Sequence, residues 1–220
     1  IKLLKPSSFS PLLAAIGIIM IMTAKNNNKK KDIGNILVGF AILMFGMEMM
    51  SGSMEGLSEN ATFQSILTMF SNPIMGIIVG TIFTMIIQSS SASVGILQAL
   101  SSTGAISFGA AVPIIMGQNI GTCATALISC VGANKNAKRT AFVHLYFNVI
   151  GTIVLLAVFT IAKYVFSLQY LDEIAIDGFW IAIVHSAFNV LCTVIWIPFT
   201  RLLEKLACIT VRDTEETEHY

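Results

Sequence analysis

Two clusters of polar residues interrupt a long neutral stretch. Gln88-Ser89-Ser90-Ser91 is the first, and Gln118-Asn119 followed by Gly121-Thr122 is the second; no charged residue occurs between Glu59 and Lys135. Polar groups embedded in apolar sequence need partners, because no water reaches them. At a helix start, backbone N–H groups lack intrahelical acceptors and carry the positive end of the helix dipole. Ser89, Ser90 and Ser91 would add hydroxyl donors there, and Gln88 an amide that donates or accepts. Such a site takes an oxyanion without an Arg or Lys. In the second cluster, Gly117 and Gly121 would let the chain leave helical geometry and free backbone carbonyls. Gln118, Asn119 and Thr122 add neutral oxygens of the hard type that Na+ prefers. An anion site beside a neutral-oxygen cation site suits a sodium-coupled carrier. The simpler alternative is that the serines are packing residues between helices. A serine hydrolase would need one serine set against His144 or His185, and the chain holds no G-x-S-x-G elbow. No enzyme activity is expected.

The elements that would carry these residues are membrane helices. The chain is 55% hydrophobic and 11% charged, with mean hydropathy +0.80. Soluble domains carry about 25% charged residues, so the expected class is an all-α polytopic membrane protein. There is no basic patch with interleaved aromatics, and no nucleic-acid partner is expected. Cys123, Cys130, Cys192 and Cys208 lack paired spacing and read as small apolar residues. The expected parse is a linker at 1–10, spans at 11–24 and 33–52, a re-entrant hairpin at 73–103, a broken helix at 107–131, spans at 138–165 and 178–202, and a polar tail at 204–220. Asp32 is the expected cap of the second span, and Gly34, Gly39 and Gly46 mark a face for close approach. Residues 53–71 read as interfacial, with a chance-level glycosylation triplet at Asn60-Ala61-Thr62.

Charge placement decides the hairpin. Pro73 to Ile87 gives roughly 22 Å of helix, short of a bilayer core of about 30 Å. With Lys25–Lys31 cytoplasmic, the positive-inside rule puts 132–139 and the C-terminus there too, provided 73–103 turns back. Counting that segment as a crossing would put Lys135, Lys138 and Arg139 outside. The acidic loop with Asp172, Glu173 and Asp177 then faces outward. The expected location is a bacterial inner membrane. A short internal repeat follows: AFVHLYFNVIGT at 141–152 and AIVHSAFNVLCT at 182–193. His144 with Asn148, and His185 with Asn189, are four apart and so share one helical face. They are expected to bond between helices, or to lie behind a substrate site.

The blocks QSSSA, GILQAL, PIIMGQNIGT, GANKNAKR and AFVHLYFN resemble the type II sodium/phosphate cotransporter family, most closely its second, C-terminal repeat in a bacterial branch. The resemblance spans residues 11–203 and implies an inverted-repeat transporter that imports inorganic phosphate with Na+ by alternating access. It implies phosphate binding by Gln88, Ser89, Ser90, Ser91, Gln118 and Asn119, and Na+ binding by Ser90, Ser91, Thr122 and Thr125. No cofactor is implied beyond Na+ as coupling ion. The family pairs two QSSS hairpins, and this chain holds one. Its partner is expected on the same longer chain or on a partner subunit, the absent initiator Met pointing to a fragment or a split half; a homo-oligomer is the other arrangement. The remaining alternatives are a carrier of another small oxyanion and a structural or channel subunit.

Overall fold

The computed structural model describes residues 6–24, 28–58 and 72–212. The interfacial reading of 59–71, the Asn60 triplet and the tail from 213 lie outside them. The chain divides into two units, 1–59 and 60–220.

The first unit is a pair of helices, α1 (Pro6–Met22) and α2 (Asn28–Ser58). They close on Gly17 and Gly34, where a Cβ would lie 2.8 Å from the other glycine's carbonyl oxygen. Gly39 and Gly46 have nothing within 4 Å of such an atom, so of the expected glycine face only Gly34 is used in this pair. Asp32 is not the cap: α2 already begins at Asn28 and Asp32 lies inside it.

The second unit is built around one helix. α3 (Pro73–Ile87) is capped by Asn72, whose side chain accepts from the Ile74 N–H at 2.9 Å, with Pro73 at the first helical position. It ends at Gln88, which is left-handed at φ 56°. Ser89 caps α4 (Ser90–Ser101), and Ser107 caps α5 (Phe108–Ser129). Asn134 caps α6 (Lys135–Val165), and Asp177 caps α7 (Gly178–Trp196). A 3₁₀ turn at Ile197–Phe199, containing Pro198, leads into α8 (Thr200–Thr210).

α5 is buried along most of its length, from Gly109 to Ala124. α3 lies beside it in the same direction: Gly76 meets Pro113, Gly80 meets Ile114 and Gln118, and Gly121 meets Thr84 and Met85. Cβ atoms at Gly80 or Gly117 would strike the backbone oxygens of Ile114 and Ile77, so glycine is what lets these two backbones touch. α4 returns along α5. Ser93 sits at Gln118, whereas Leu97 joins Ile106, Ala110, Ala111 and Ile181 in an apolar cluster near the start of α5. The segment 73–101 is therefore a helical hairpin with both ends at the Phe108 end of α5.

The expected break in α5 is overturned. The helix is continuous from Phe108 to Ser129 through Gly117–Gly121. The two glycines serve close packing on α3, and Gln118 and Asn119 project from a backbone that is not unwound. Residues 204–210, expected to belong to the tail, form the end of α8, which packs on α6 through Leu203 and Ala207.

Among the described residues, four helical stretches are long and apolar enough to cross a membrane: Asn28–Met50, Phe108–Ser129, Lys135–Val165 and Gly178–Thr210. With the apolar helices Phe9–Met22 and Pro73–Ile87, and 40 large hydrophobic side chains turned outward among the described residues, this is an all-α membrane protein. The four cysteines are free thiols.

Candidate functional site

The hairpin turn presents the first cluster. Gln88 and Ser91 are exposed, and Ser89 and Ser90 half-buried. The Ser89 hydroxyl accepts from the Ala92 N–H at 3.3 Å and lies 3.4 Å from the Ser91 hydroxyl. The positive end of the α4 dipole emerges at these serines, so the turn gathers hydroxyls and a helix N-terminus on an accessible surface.

Behind the turn is a buried polar ladder. The hydroxyls of Thr84 and Ser93 are 2.7 Å apart and join the two arms of the hairpin. The Gln118 side-chain amide donates to both the Ser93 carbonyl, at 3.1 Å, and the Ser93 hydroxyl, at 3.0 Å. The Thr81 hydroxyl donates to the Gly117 carbonyl at 3.1 Å. Ser93, Thr84 and Thr81 were not among the expected site residues. Their signal is geometric: Thr84 and Ser93 are equidistant from the Gln88–Ser89 turn, so a hairpin closing there brings them face to face.

Asn119 points to a different neighbour. Its amide donates back to the Ile115 carbonyl at 2.9 Å, and its Oδ1 receives Asn189 Nδ2 at 3.3 Å and lies 3.1 Å from His185 Nε2. One turn on, Asn148 donates to the His144 carbonyl at 3.0 Å and approaches Cys123 at 3.4 Å. Asn189 makes the same four-back bond to the His185 carbonyl, at 2.8 Å. Both copies of the repeat thus face α5 with one local geometry, through Asn148 on Cys123 and through His185 and Asn189 on Asn119. The His185 ring is engaged with Asn119.

The structure therefore separates the expected ligand set. Gln118 and Asn119 are buried, at 2% and 7% exposure; the Gln118 amide N–H and Asn119 Oδ1 bond to neighbouring helices, and Gln118 Oε1 has no partner among the described residues. Gln88 through Ser91 are not buried. Thr122 and Thr125 are half-buried, and their hydroxyls donate to the Gln118 and Thr122 carbonyls, both at 2.9 Å. With their protons turned into the helix, their lone pairs face away from it. By the register of α3 on α5, they lie at the level of the hairpin turn. No cluster of three or more His, Cys, Asp or Glu suited to a metal occurs among the described residues, and the oxygens here are neutral.

A hairpin braced on a buried helix, with hydroxyls at its turn, belongs to a known class. The chain is a member of the Na+/Pi-cotransporter family, whose model matches residues 1–52 and 42–176. Among curated relatives, the uncharacterized protein YqeW of Bacillus subtilis is 29% identical over 180 residues, covering 80% of this chain and 56% of the relative. "Putative inorganic phosphate export protein YjbB" of Salmonella typhimurium is 27% identical over 215 residues, covering 96% and 38%. Sodium-dependent phosphate transport protein 2B of Homo sapiens is 33% identical over 171 residues, covering 75% and 24%. The chain thus spans about half of the first of these relatives and less of the others. No solved structure matches it significantly.

Proposed function

We propose that this chain forms one wall of a sodium-coupled carrier for inorganic phosphate, working by alternating access. The observation that carries the reading is the hairpin turn: three successive serines at a helix N-terminus, accessible at Gln88 and Ser91, on arms fixed to α5 from behind. Gln88, Ser89, Ser90 and Ser91 hold the oxyanion. Ser90, Ser91, Thr122 and Thr125 supply oxygens to Na+. Gln118 and Asn119 act one layer back, Gln118 on the hairpin and Asn119 on α7. The opposite wall is a second hairpin of the same kind, on the rest of a longer chain or on a partner subunit.

The coupling has a physical origin. No charged side chain lies between Glu59 and Lys135, so this wall offers the oxyanion donors but no compensating cation. An anion taken from water into such a site is costly unless a counter-charge enters with it. Na+ supplies that charge, and the anion supplies it for Na+, so each binds better with the other. The re-entrant placement of 73–101, with its ends on the outer side and Lys135–Arg139 in the cytoplasm of a bacterial inner membrane, follows the distribution of basic residues.

The names of the relatives support phosphate and sodium, and YjbB's name favours the opposite direction of transport. Proteoliposomes of the full-length protein test both. Uptake of ³²P-phosphate should saturate, require Na+, and fall at least tenfold in Ser90→Ala. Equal uptake with choline in place of Na+ would remove the coupling; flux that never saturates would favour a channel subunit. Phosphate leaving preloaded vesicles against its gradient, driven by an opposing ion gradient, would establish export.

A further inference from the structure

We propose that the elbow between α7 and α8 binds an anionic phospholipid, its acyl chain in a groove between α6 and α7 and its headgroup phosphate against Arg201 and Lys205. Pro198 lies in the 3₁₀ turn that separates α7 from α8, and α8 packs along α6. α8 has three distinct faces. Leu203 and Ala207 are buried. Its far end is fastened by the Tyr146 and Thr210 hydroxyls, 2.6 Å apart, and by Arg139 Nε donating to the Val211 carbonyl at 3.1 Å. Arg201 and Lys205, four apart, share a second, exposed face. Leu202 and Ile209, 47% and 54% exposed, form a third, about 70° round the helix from the basic pair. An apolar strip beside a cationic strip matches a layer where acyl chains meet anionic headgroups.

The groove is a separate observation at the same place. It measures about 230 Å³ and is lined by Ile150 and Val154 of α6 and by Ile195, Trp196, Phe199 and Leu202. Its walls are apolar; the Trp196 indole N–H is already spent on the Phe147 carbonyl at 3.2 Å. Leu202 belongs both to this groove and to α8, and its chain neighbour is Arg201. Glu204, on the other flank of the basic pair, lines a different cleft with Arg139. Among the described residues neither Arg201 nor Lys205 has an ion-pair partner. The site thus asks for an anion joined to an alkyl chain. The acidic residues Asp213, Glu215, Glu216 and Glu218 match the charge but carry nothing to fill the groove.

Purified full-length protein is titrated with phosphatidylglycerol or phosphatidylcholine in detergent, and bound lipid is counted by native mass spectrometry. Phosphatidylglycerol should bind preferentially, and R201Q/K205Q should weaken it about thirtyfold, at roughly fivefold per cation. V154W, which fills the groove, should lower retention of both lipids. The proposal is overturned if the wild type does not prefer phosphatidylglycerol, or if R201Q/K205Q leaves the preference intact. It is equally overturned if soluble glycerol 3-phosphate competes as well as the lipid, or if the preference emerges only on deleting 213–220, which would make the acidic tail the occupant. The readout is lipid binding and does not depend on the transported ion.

Discussion

Gln88–Ser91 and Gln118–Asn119 look alike in sequence and differ in place. Each is a short run of amide or hydroxyl side chains in neutral surroundings. The first sits at a turn between two helices, where Gln88 and Ser91 are open. The second lies inside a continuous helix contacted by α3, α4, α6 and α7; neighbours take up the Gln118 amide N–H and the Asn119 side chain, and Gln118 Oε1 stays buried without a partner among the described residues. Polar residues at a helix end are available to a ligand. The same types in mid-helix, deep in a bundle, spend most of their donors and acceptors on one another. The comparison divides the region into an open turn and a frame that holds it.

That division can be broken at several points. The largest effect should come from the frame's tightest contact: Gly117→Leu puts a side chain against the Ile77 backbone, which cannot give way. It should cost about 3 kcal/mol or more and lower the melting temperature in detergent by at least roughly 6 °C. Next is Asn119→Ala, which strips His185 and Asn189 of their shared acceptor. A loss of about 1–3 kcal/mol is expected, and a thermal transition unchanged from wild type would show that Asn119 does not hold α7. Ser90→Ala tests the other region: uptake should fall at least tenfold with the melting temperature unmoved. A stability loss equal to that of Asn119→Ala would erase the distinction between surface and frame. A double-mutant cycle of Thr84→Val and Ser93→Ala should give a coupling of about 0.6 kcal/mol, the usual scale for such bonds in membranes. The smallest change belongs to Lys163→Met. Its ion pair with Asp172, at 2.6 Å, is half exposed on the Asp172 side and should contribute no more than about 1 kcal/mol; weakening with added salt would be its signature.

Much of this was legible in the chain because local chemistry marks helix ends. Asn72-Pro73 announced α3, and the length from Pro73 to Ile87 was too short to span. The basic residues on either side led to the expectation of a turn-back, and α3 and α4 do meet in a hairpin at Gln88–Ser89. What misled was Gly117 and Gly121. Glycine permits both an unwound backbone and the close approach of another helix, and only the partner decides between them. That partner, α3, lies some forty residues earlier, and its own Gly80 had to be matched to the same contact. α8 was hidden for a related reason. Its charged residues resemble a tail until Leu203 and Ala207 find α6. Ser93 escaped because nothing local distinguishes it from any small residue on a helix; its role comes from Thr84 and Gln118 arriving on either side.

The base of the hairpin is held by the segment that leads into α7. Phe108 N–H donates to the Ile174 carbonyl at 2.8 Å, Ile176 N–H to the Ile106 carbonyl at 3.0 Å, and Gln98 Nε2 to the Gly178 carbonyl at 2.9 Å. During synthesis, Ser93 waits 25 residues for Gln118, and Gln98 waits 80 for Gly178. The turn of the hairpin is thus closed by near neighbours, whereas its base depends on contacts made far along the chain.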